Sequence, residues 1–273
     1  MTSKEISKPL VSTIISTKNE GFNLTRLITS IKSQTYPNIE IVVVDNHSSD
    51  KTVNIARKFG ARVYIRGPER SAQRNYGVIK SQGKYVLILD ADMELTPNVI
   101  AQCVKLGESG LGGMIIPEKS VGEGFWAAVK SEERSWYLGD DSIEAERFFN
   151  KAILLAAGGY DESITGPEDW DLPLRTRKLA PHGRIKSFII HHEGRQYFWK
   201  MVKKKYYYGL SLANYVRKND RHIFSSQQIY FLRPSVIGHT YRIFFNPIVY
   251  IGVWILFFAQ TLAGVLGYLR GKT

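Results

Sequence analysis

Short apolar runs alternate with amphipathic segments along the first part of this chain. Apolar runs of strand length are each followed by a polar loop and then by residues with helical spacing. The expected strands are Val11–Ser16, Ile39–Val44 and Ala61–Ile65, and the expected helices are Asn23–Ser33, Thr52–Phe59 and Ser71–Ser81. This alternation predicts an α/β fold with an open, mostly parallel sheet.

The segment Lys84–Glu94, read KYVLILDADME, is the centre of this pattern. Its apolar run, Tyr85–Leu89, predicts a strand that is covered on both faces. Asp90 and Asp92 follow directly, and their side chains would point to the same side if the extended backbone continued. A cation such as Mg²⁺ or Mn²⁺ between them would relieve the repulsion of the two carboxylates. The alternative is a solvated aspartate followed by a helix N-cap.

Polar residues follow three of the expected strands. In an open parallel sheet ligands bind beyond the carboxyl ends of the strands. This places Thr17–Glu20, Asp45 and the two aspartates along one edge. The chain has neither Gly-x-Gly-x-x-Gly after the first strand nor Gly-x-x-x-x-Gly-Lys-Ser/Thr, which argues against a dinucleotide dehydrogenase and a P-loop NTPase. Arg70 and Arg74 could contact phosphates.

Four motifs in order, VSTIISTKNE, IEIVVVDNHSSDKT, GPERSAQRNYG and YVLILDAD, resemble the nucleotide-sugar half of family 2 glycosyltransferases. The resemblance runs over about Val11–Asp92 and, more loosely, to about residue 195. It implies a GT-A fold and inverting, metal-dependent transfer from a nucleotide sugar. Where many members carry a proline and an aromatic residue, this chain has Ser16-Thr17-Lys18-Asn19-Glu20.

The resemblance also implies roles for individual residues on the donor side. Base and ribose would be held by the loop after the first strand and by Asp45, and Arg70 and Asn75 would border the pocket. Asp90 would approach the ribose or the metal, and Asp92 would bind the metal directly. The donor-side residues are Thr17, Asn19, Glu20, Asp45, Arg70, Asn75 and Asp90.

An acidic pair, Glu168-Asp169, stands at the expected start of a helix. An inverting transfer needs a base opposite the leaving diphosphate, to take the proton of the acceptor. By resemblance Asp169 is this base, and Glu168 orients it or contacts the acceptor. Acids are also favourable in a helix first turn, and both interpretations can hold together.

A last strand is expected at Ile185–Ile190, and it ends in His191-His192-Glu193. By resemblance a histidine here is a third metal ligand, and a neutral imidazole suits Mn²⁺. The pattern His-x-Glu-Gly-Arg favours His191 over His192. A solvated histidine pair and completion of the metal shell by Glu94 are the alternatives.

The aromatic segment Glu118–Asp141 is expected to be a mobile loop on the acceptor side. It contains Trp126, Trp136 and Tyr137, and the alternative is that these rings pack the domain.

After Arg195 the chain becomes basic and aromatic, which accounts for much of the net charge of +12. The segment that begins at Phe198 predicts a basic amphipathic helix that lies on an anionic membrane surface. Gln228–Phe245 is a second basic, aromatic stretch. Pro247–Leu269 then carries no charge and is long enough to cross the hydrocarbon core. A surface-lying hairpin that bends at Gly252 or Gly264 is the alternative. The uncharged run argues against nucleic acid as the partner.

These features predict a catalytic domain at residues 1–195, with a donor half at about 8–95 and an acceptor half at about 96–195. Interfacial helices at 196–245 and a transmembrane segment at 246–270 would follow. The N-terminus has no signal-peptide pattern, and the single cysteine, Cys103, suits a reducing compartment, so we expect a cytoplasmic catalytic domain at a membrane.

The expected activity is transfer of a hexose from GDP-mannose or a UDP-sugar to a lipid-linked acceptor, with Mn²⁺ or Mg²⁺. The acceptor would be a polyprenyl or dolichyl phosphate, or a glycan built on one. Direct transfer onto the lipid phosphate itself is a second interpretation, and a basic membrane scaffold without catalysis is a third. The glycine-rich loop of a nucleotidyltransferase is absent after the first strand.

Overall fold

Two β-sheets organise the molecule, and helices cover both faces of the larger one. The computed structural model describes residues 8–218 and 244–272. The strands are β1 (Val11–Thr17), β2 (Ile39–Asp45), β3 (Arg62–Ile65), β4 (Tyr85–Asp90), β5 (Met93–Leu95), β6 (Gly113–Ile115), β7 (Glu118–Glu123), β8 (Glu146–Asn150), β9 (His182–Arg184) and β10 (Ile189–Arg195). The helices are α1 (Gly21–Lys32), α2 (Thr52–Lys58), α3 (Arg70–Lys80), α4 (Val99–Glu108), α5 (Phe125–Ser135), α6 (Lys151–Ala156), α7 (Glu168–Thr176), α8 (Phe198–Lys218) and α9 (Pro247–Gly271).

The larger sheet has seven strands in the order β3-β2-β1-β4-β8-β6-β9. Strands β1 to β4 are parallel, as expected for strands joined by helices, whereas β8 runs antiparallel to both β4 and β6. The predicted α/β class and mostly parallel sheet are therefore confirmed, with a reversed strand beyond the centre.

The central strand β4 is buried on both faces, as its unbroken apolar run predicts. Tyr85, Leu87 and Leu89 pack on the side of α1 and α4, and Val86 and Ile88 pack towards α3 and β8. All five side chains have no solvent exposure. This packing fixes the position of the polar residues at the end of the strand.

The smaller sheet has the order β5-β10-β7 and lies against the end of β4. The strand expected at Ile185–Ile190 is misplaced, because β10 begins at Ile189 and includes His191 and His192. Its backbone gains two partners there, β5 on one side and β7 on the other. A strand can form in this polar stretch because its hydrogen bonds are satisfied on both edges.

The segment Glu118–Asp141 is not the predicted loop. It forms β7 and then α5, and Gly124, with a φ of +82°, makes the turn between them. The aromatic rings pack against the C-terminal helices, with Trp126 4.8 Å from Phe198 between ring centroids. The alternative interpretation, that these rings pack the domain, is the correct one.

The basic aromatic segment forms α8, and the uncharged segment forms α9, which runs unbroken through Gly252 and Gly264. Of the helices that the structure describes, α9 alone is long and apolar enough to cross a membrane, by length and composition. Most of the second basic stretch, Gln228–Phe245, lies outside the described residues.

Candidate active site

The carboxyl ends of β1, β2 and β4 meet at one edge of the large sheet. Thr17 is level with Asp45, and Ser16 is level with Asp90. The structure therefore brings together Thr17, Asp45 and Asp90, which the sequence placed at the ends of three separate strands. The small sheet and the N-terminus of α7 flank this edge and complete the candidate site.

Asp45 is completely buried and closes the turn after β2. The hydroxyl of Thr17 donates to its Oδ1 at 2.8 Å, and the backbone amide of Ser48 donates to its Oδ2 at 2.7 Å. Asn19 adopts a left-handed φ of 55°, and its side-chain oxygen accepts from the amide of Ser49 at 2.9 Å. These bonds tie the loops after β1 and β2 into one wall of the site.

Glu20 extends this wall towards the aspartates after β4. Burial raises the pKa of Glu20, and the negative charges of Asp92 and Asp90 add to the increase, while a hydrogen bond from Asn23 opposes it. A carboxylate in such surroundings gains from a positively charged ligand.

The backbone turns at Ala91-Asp92, so the condition for the two aspartates to point to the same side, an extended backbone, is not met. Asp90 points at two arginines, with Arg74 Nη2 3.0 Å from its Oδ1 and Arg147 Nη1 3.6 Å from its Oδ2. Burial alone would raise the pKa of Asp90, but the charges of Arg74 and Arg147 hold it well below the usual range. The repulsion between the aspartates is thus relieved by arginine at Asp90.

Asp92 faces the small sheet instead. Strand β10 lies beside β5, and it brings His191 Nε2 to 3.2 Å from Asp92 Oδ2. Glu118 Oε2 is 3.1 Å from Nδ1 of the same imidazole. Successive residues of a strand point to opposite faces, so His192 turns away and pairs with Glu94 at 2.7 Å. The geometry favours His191 over His192 and Glu94 as the partner of Asp92.

The pair Asp92–His191 has the chemistry of a divalent-metal site. Burial would lower the pKa of His191, but hydrogen bonds to Asp92 and Glu118 raise it to about 9. A cation bound here would take the place of the imidazole proton. Glu118 lies behind Nδ1, where a metal-binding histidine commonly has a carboxylate, and Arg134 Nη1 lies 2.9 Å from the same nitrogen.

The predicted set of three metal ligands is not assembled. Within residues 8–218 and 244–272 there is no group of three histidine, cysteine, aspartate or glutamate side chains placed to hold a metal. The reason is that both carboxylate oxygens of Asp90 face arginines. Asp92 and His191 fit a cation that takes its other ligands from a bound diphosphate or water, and the Asp92 side chain is 34% exposed.

Glu168 and Asp169 are in the first turn of α7, as expected, where acids are favourable. Asp169 Oδ1 is 2.9 Å from Arg74 Nη1, and its side chain is 23% exposed. Glu168 is buried and pairs with Arg70 at 2.7 Å. Burial and the charge of Asp169 raise the pKa of Glu168, and Arg70 and Arg74 oppose this. The helix-terminus role and a chemical role are both compatible with this geometry.

A continuous series of ion pairs joins the two ends of the site. It alternates in charge at every step, and Arg74, which is fully buried, is shared by three carboxylates, those of Asp90, Asp169 and Glu168. Its members in order are Asp169, Arg74, Asp90, Arg147, Glu118, His191 and Asp92. The candidate base and the candidate metal pair are thus held by one rigid network.

Sequence reasoning missed Arg147 and Glu118, and it treated Arg74 only as a possible phosphate contact. Arg147 lies in strand β8, which is buried, and a charged residue in a buried strand indicates a charged partner. Asn75, predicted to border the donor, has its amide paired with the backbone of Tyr160. Its donor role stays a prediction.

A cavity of about 590 Å³ lies between α5 and the N-terminal end of α9, and none of the predicted site residues lines it. The candidate active site is the open edge of the sheet rather than this cavity.

Solved structures share this fold. The mannosyltransferase PcManGT from Pyrobaculum calidifontis, in complex with GDP-Man and Mn²⁺, superposes with a TM-score of 0.65 at 17% identity, covering 98% of this chain and 89% of that one. S. aureus TarS 1–349 in complex with UDP-GlcNAc gives a TM-score of 0.57 at 18% identity, covering 95% and 89%. At these identities the likeness establishes the fold.

Curated proteins match in sequence over part of their length. Glycosyltransferase AglE of Haloferax volcanii is 38% identical over 93 residues, which is 31% of each chain. Beta-monoglucosyldiacylglycerol synthase of Trichormus variabilis is 27% identical over 195 residues, 62% of this chain and 41% of that protein. The chain thus spans less than half the length of these relatives. The family model described as glycosyl transferase family 2 matches residues 12–154, more than half of the 273 residues. Together with the fold and the arrangement of the site, this match establishes that the chain belongs to glycosyl transferase family 2.

Proposed function

We propose that this chain is an inverting hexosyltransferase that uses a nucleoside-diphosphate sugar, GDP-mannose or a UDP-sugar, and a lipid-linked acceptor. The observation that carries the proposal is the alternating series of ion pairs from Asp169 to Asp92. It would hold the candidate base, Asp169, at one end and the candidate metal pair, Asp92 and His191, at the other. Structural neighbours of the same fold hold GDP-Man with Mn²⁺ and UDP-GlcNAc.

The donor diphosphate would lie across the edge formed by the ends of β1, β2 and β4. Asp92 and His191 would hold the divalent cation, Mn²⁺ or Mg²⁺, and such a cation neutralises charge on the leaving diphosphate. Thr17, Asn19, Glu20 and Asp45 form the wall that would receive base and ribose. Arg70, Asn75 and Asp90 would border the pocket.

Asp169 would take the proton of the acceptor hydroxyl as the oxygen attacks the anomeric carbon and the nucleoside diphosphate leaves. Its ion pair with Arg74 fixes the direction of the carboxylate. Glu168, anchored by Arg70, would position Asp169 or contact the acceptor. Inversion follows because attack comes from the face opposite the leaving group.

The acceptor side is bordered by α8, which carries lysines and aromatic rings. Tyr208 of this helix lies 3.4 Å from Arg70 through its hydroxyl, so α8 reaches the catalytic groups. A polyprenyl or dolichyl phosphate, or a glycan on such a lipid, suits this basic aromatic border and the apolar helix α9. The name of one relative, beta-monoglucosyldiacylglycerol synthase, concerns a glycolipid. We therefore propose that the enzyme works at a membrane.

Direct transfer onto the lipid phosphate is a second candidate. It is favoured by one observation, that the carboxylate of Asp169 pairs with buried Arg74, and an ion pair with a cation makes a carboxylate a weaker base. A phosphate oxygen is already ionised and needs no base.

The test is a donor screen with purified full-length protein. Each nucleotide sugar is incubated with Mn²⁺ and vesicles that contain polyprenyl phosphate or a polyprenyl-linked sugar, and the release of nucleoside diphosphate is measured. One donor should stand out, and release should require both metal and acceptor. Asp92→Ala should abolish it, whereas His192→Ala, on the opposite face of β10, should retain it. No release with any donor would favour a scaffold without catalysis.

A further inference from the structure

Helix α9 exposes one narrow face along its whole length. Exposed apolar side chains recur every three or four residues, which defines a stripe on one side of a helix. The stripe consists of Ile248, Ile251, Ile255, Phe258, Leu262, Val265, Leu266 and Leu269. The opposite face is buried from Tyr250 to Tyr268. A helix that crossed a bilayer by itself would meet lipid on all sides.

The buried face of α9 packs closely on α8 through glycines. A Cβ on Gly209 would lie 2.5 Å from the carbonyl oxygen of Gly264, and one on Gly267 would overlap the carbonyl oxygen of Tyr206. Further along, Gly271 meets the backbone of Leu210. Small residues allow two helix backbones to approach this closely. The two helices therefore run side by side, and neither can enter a bilayer at a steep angle without the other.

Helix α8 is fastened to the catalytic domain. Tyr207 donates to Glu69 at 2.6 Å, and Lys218 lies 2.7 Å from Asp161. It also carries exposed lysines at positions 200, 203 and 204. Charged side chains at the centre of a bilayer are costly, so α8 stays outside the hydrocarbon core.

Both ends of α9 lie against the same body. At its start, a Cβ on Gly252 would meet the ring of Phe125 and Val129 on α5, at 2.7 Å each. At its end, Gly271 contacts α8, which the catalytic domain holds. The helix is about 37 Å long at 1.5 Å per residue. It thus lies along the surface of the domain instead of projecting from it.

We propose that α9 lies in the plane of an anionic bilayer, with its stripe in the hydrocarbon boundary, and does not cross the membrane. The lysines of α8 then stand at the level of the lipid headgroups. This inference rests on the membrane association proposed above and is independent of the transfer chemistry.

The chemistry of the stripe favours lipid over a second copy of the chain. A water-soluble helix pair carries charged residues beside its apolar seam. From Pro247 to Leu269 there are none, and Phe244 and Phe245 extend the apolar surface with exposures of 86% and 80%. Arg270 and Lys272 follow at one end, where they can reach headgroups.

Topology labelling tests the inference without any measurement of activity. Cys103 is buried, so the unmodified protein serves as the blank. Single cysteines are introduced as Lys51→Cys on the catalytic domain and Lys272→Cys after α9. The proteins are bound to the outside of preformed, sealed vesicles and treated with a membrane-impermeant maleimide, before and after detergent.

The in-plane arrangement predicts that both cysteines react to the same extent before detergent. Protection of Lys272→Cys until detergent is added, while Lys51→Cys reacts, would overturn it. A protein that stays off vesicles and elutes as a dimer would also overturn it, because the stripe would then join two copies.

A second measurement tests the headgroup contact. Binding is compared on vesicles of phosphatidylcholine with and without phosphatidylglycerol. The triple variant K200E/K203E/K204E should weaken binding to anionic vesicles about 100-fold or more, given roughly 1 kcal/mol for each of the three basic residues near the surface. The matched variant K51E/R57E/K58E, on exposed residues at and in α2, should bind as the parent does. An equal loss of affinity for anionic vesicles in both variants would contradict the proposed orientation.

Discussion

Arg74 pairs with Asp90 at 3.0 Å although its side chain is completely shielded from solvent. A fully buried guanidinium requires carboxylate partners, and Arg74 has two more, Asp169 at 2.9 Å and Glu168 at 3.7 Å. This residue therefore joins the end of the central strand to the candidate base on α7. Arg74 thus holds these carboxylates in place, although it is neither the candidate base nor a candidate metal ligand.

Replacing Arg74 should destabilise the fold. Arg74→Met leaves Asp90 and Asp169 without their shared cation, and breaking a buried ion pair costs about 3–5 kcal/mol. Denaturant unfolding of the variant should show that its free energy of unfolding is lower than that of the parent protein by this amount. The control is Arg57→Ala, at an exposed arginine of α2, with an expected change within about 0.5 kcal/mol. Equal stability of both variants would show that the network contributes little.

Asp169→Asn should distinguish the two candidate acceptors. If the acceptor is a hydroxyl, the turnover rate should fall about 10²–10⁴-fold, because no group takes its proton. If the acceptor is a lipid phosphate, transfer should be largely spared. Nucleotide affinity, measured by calorimetry, should not change in either case. A rate unchanged with a hydroxyl acceptor would remove Asp169 from the proposed role.

The two neighbouring histidines should differ in their effect on metal binding. His191→Ala should weaken Mn²⁺ binding in the presence of GDP or UDP by about 10–100-fold or more, because the imidazole faces Asp92. His192→Ala is the matched control, since this ring pairs with Glu94. Free Mn²⁺ is measured by electron paramagnetic resonance, which needs no turnover. The reverse order of the two variants would place the metal elsewhere.

Two glycines of α9 should respond differently to one added methyl group. Gly267→Ala should disturb the contact with α8, because its Cβ would overlap the carbonyl oxygen of Tyr206. Gly264→Ala should be tolerated, since its Cβ would lie 3.7 Å from the flexible side chain of Lys205. Thermal unfolding in detergent should show a lower midpoint for Gly267→Ala alone. Similar midpoints would indicate that the helices pack differently.

The docking of α8 should weaken in acid. Partial burial would raise the pKa of Asp161, but Lys218 and hydrogen bonds from Ser163 lower it to about 2. A carboxyl group whose folded pKa lies below its ordinary value of about 3.9 stabilises the fold above that pH. This contribution is lost as the pH falls from about 4 towards 2.

The measurement is the urea midpoint of the parent protein minus that of Asp161→Asn. The difference should be positive at pH 6 and should shrink towards zero near pH 2. Glu123→Gln, at an exposed glutamate of β7, should show no comparable trend. A difference that is independent of pH would exclude the ion pair as its cause.

Sequence patterns predicted the strands and helices up to β4 because each is local and strongly periodic. Thr17, Asp45 and Asp90 could be placed together for the same reason, since parallel strands end at one edge. The proximity of Asp92 and His191 depends on β10 lying beside β5, a pairing between distant segments. Only the family resemblance could suggest it.

The failures have a common cause in long-range pairing. Strand β7 looks polar, and it becomes a strand because β10 lies beside it. Arg147 and Glu118 are 29 positions apart and lie on different sheets, so no local sequence pattern predicts their contact. Asp90 was expected to share a metal with Asp92, but its carboxylate forms ion pairs with buried arginines from α3 and β8. Pairings of this kind are set by tertiary packing.

Anomalous diffraction from a crystal grown with Mn²⁺ and GDP or UDP tests the central claim most directly. The account predicts a manganese peak within coordination distance of Asp92 and His191, with the diphosphate oxygens completing its shell at the ends of β1 and β4. A nucleotide bound with no such peak, or a peak at the His192–Glu94 pair, would contradict it.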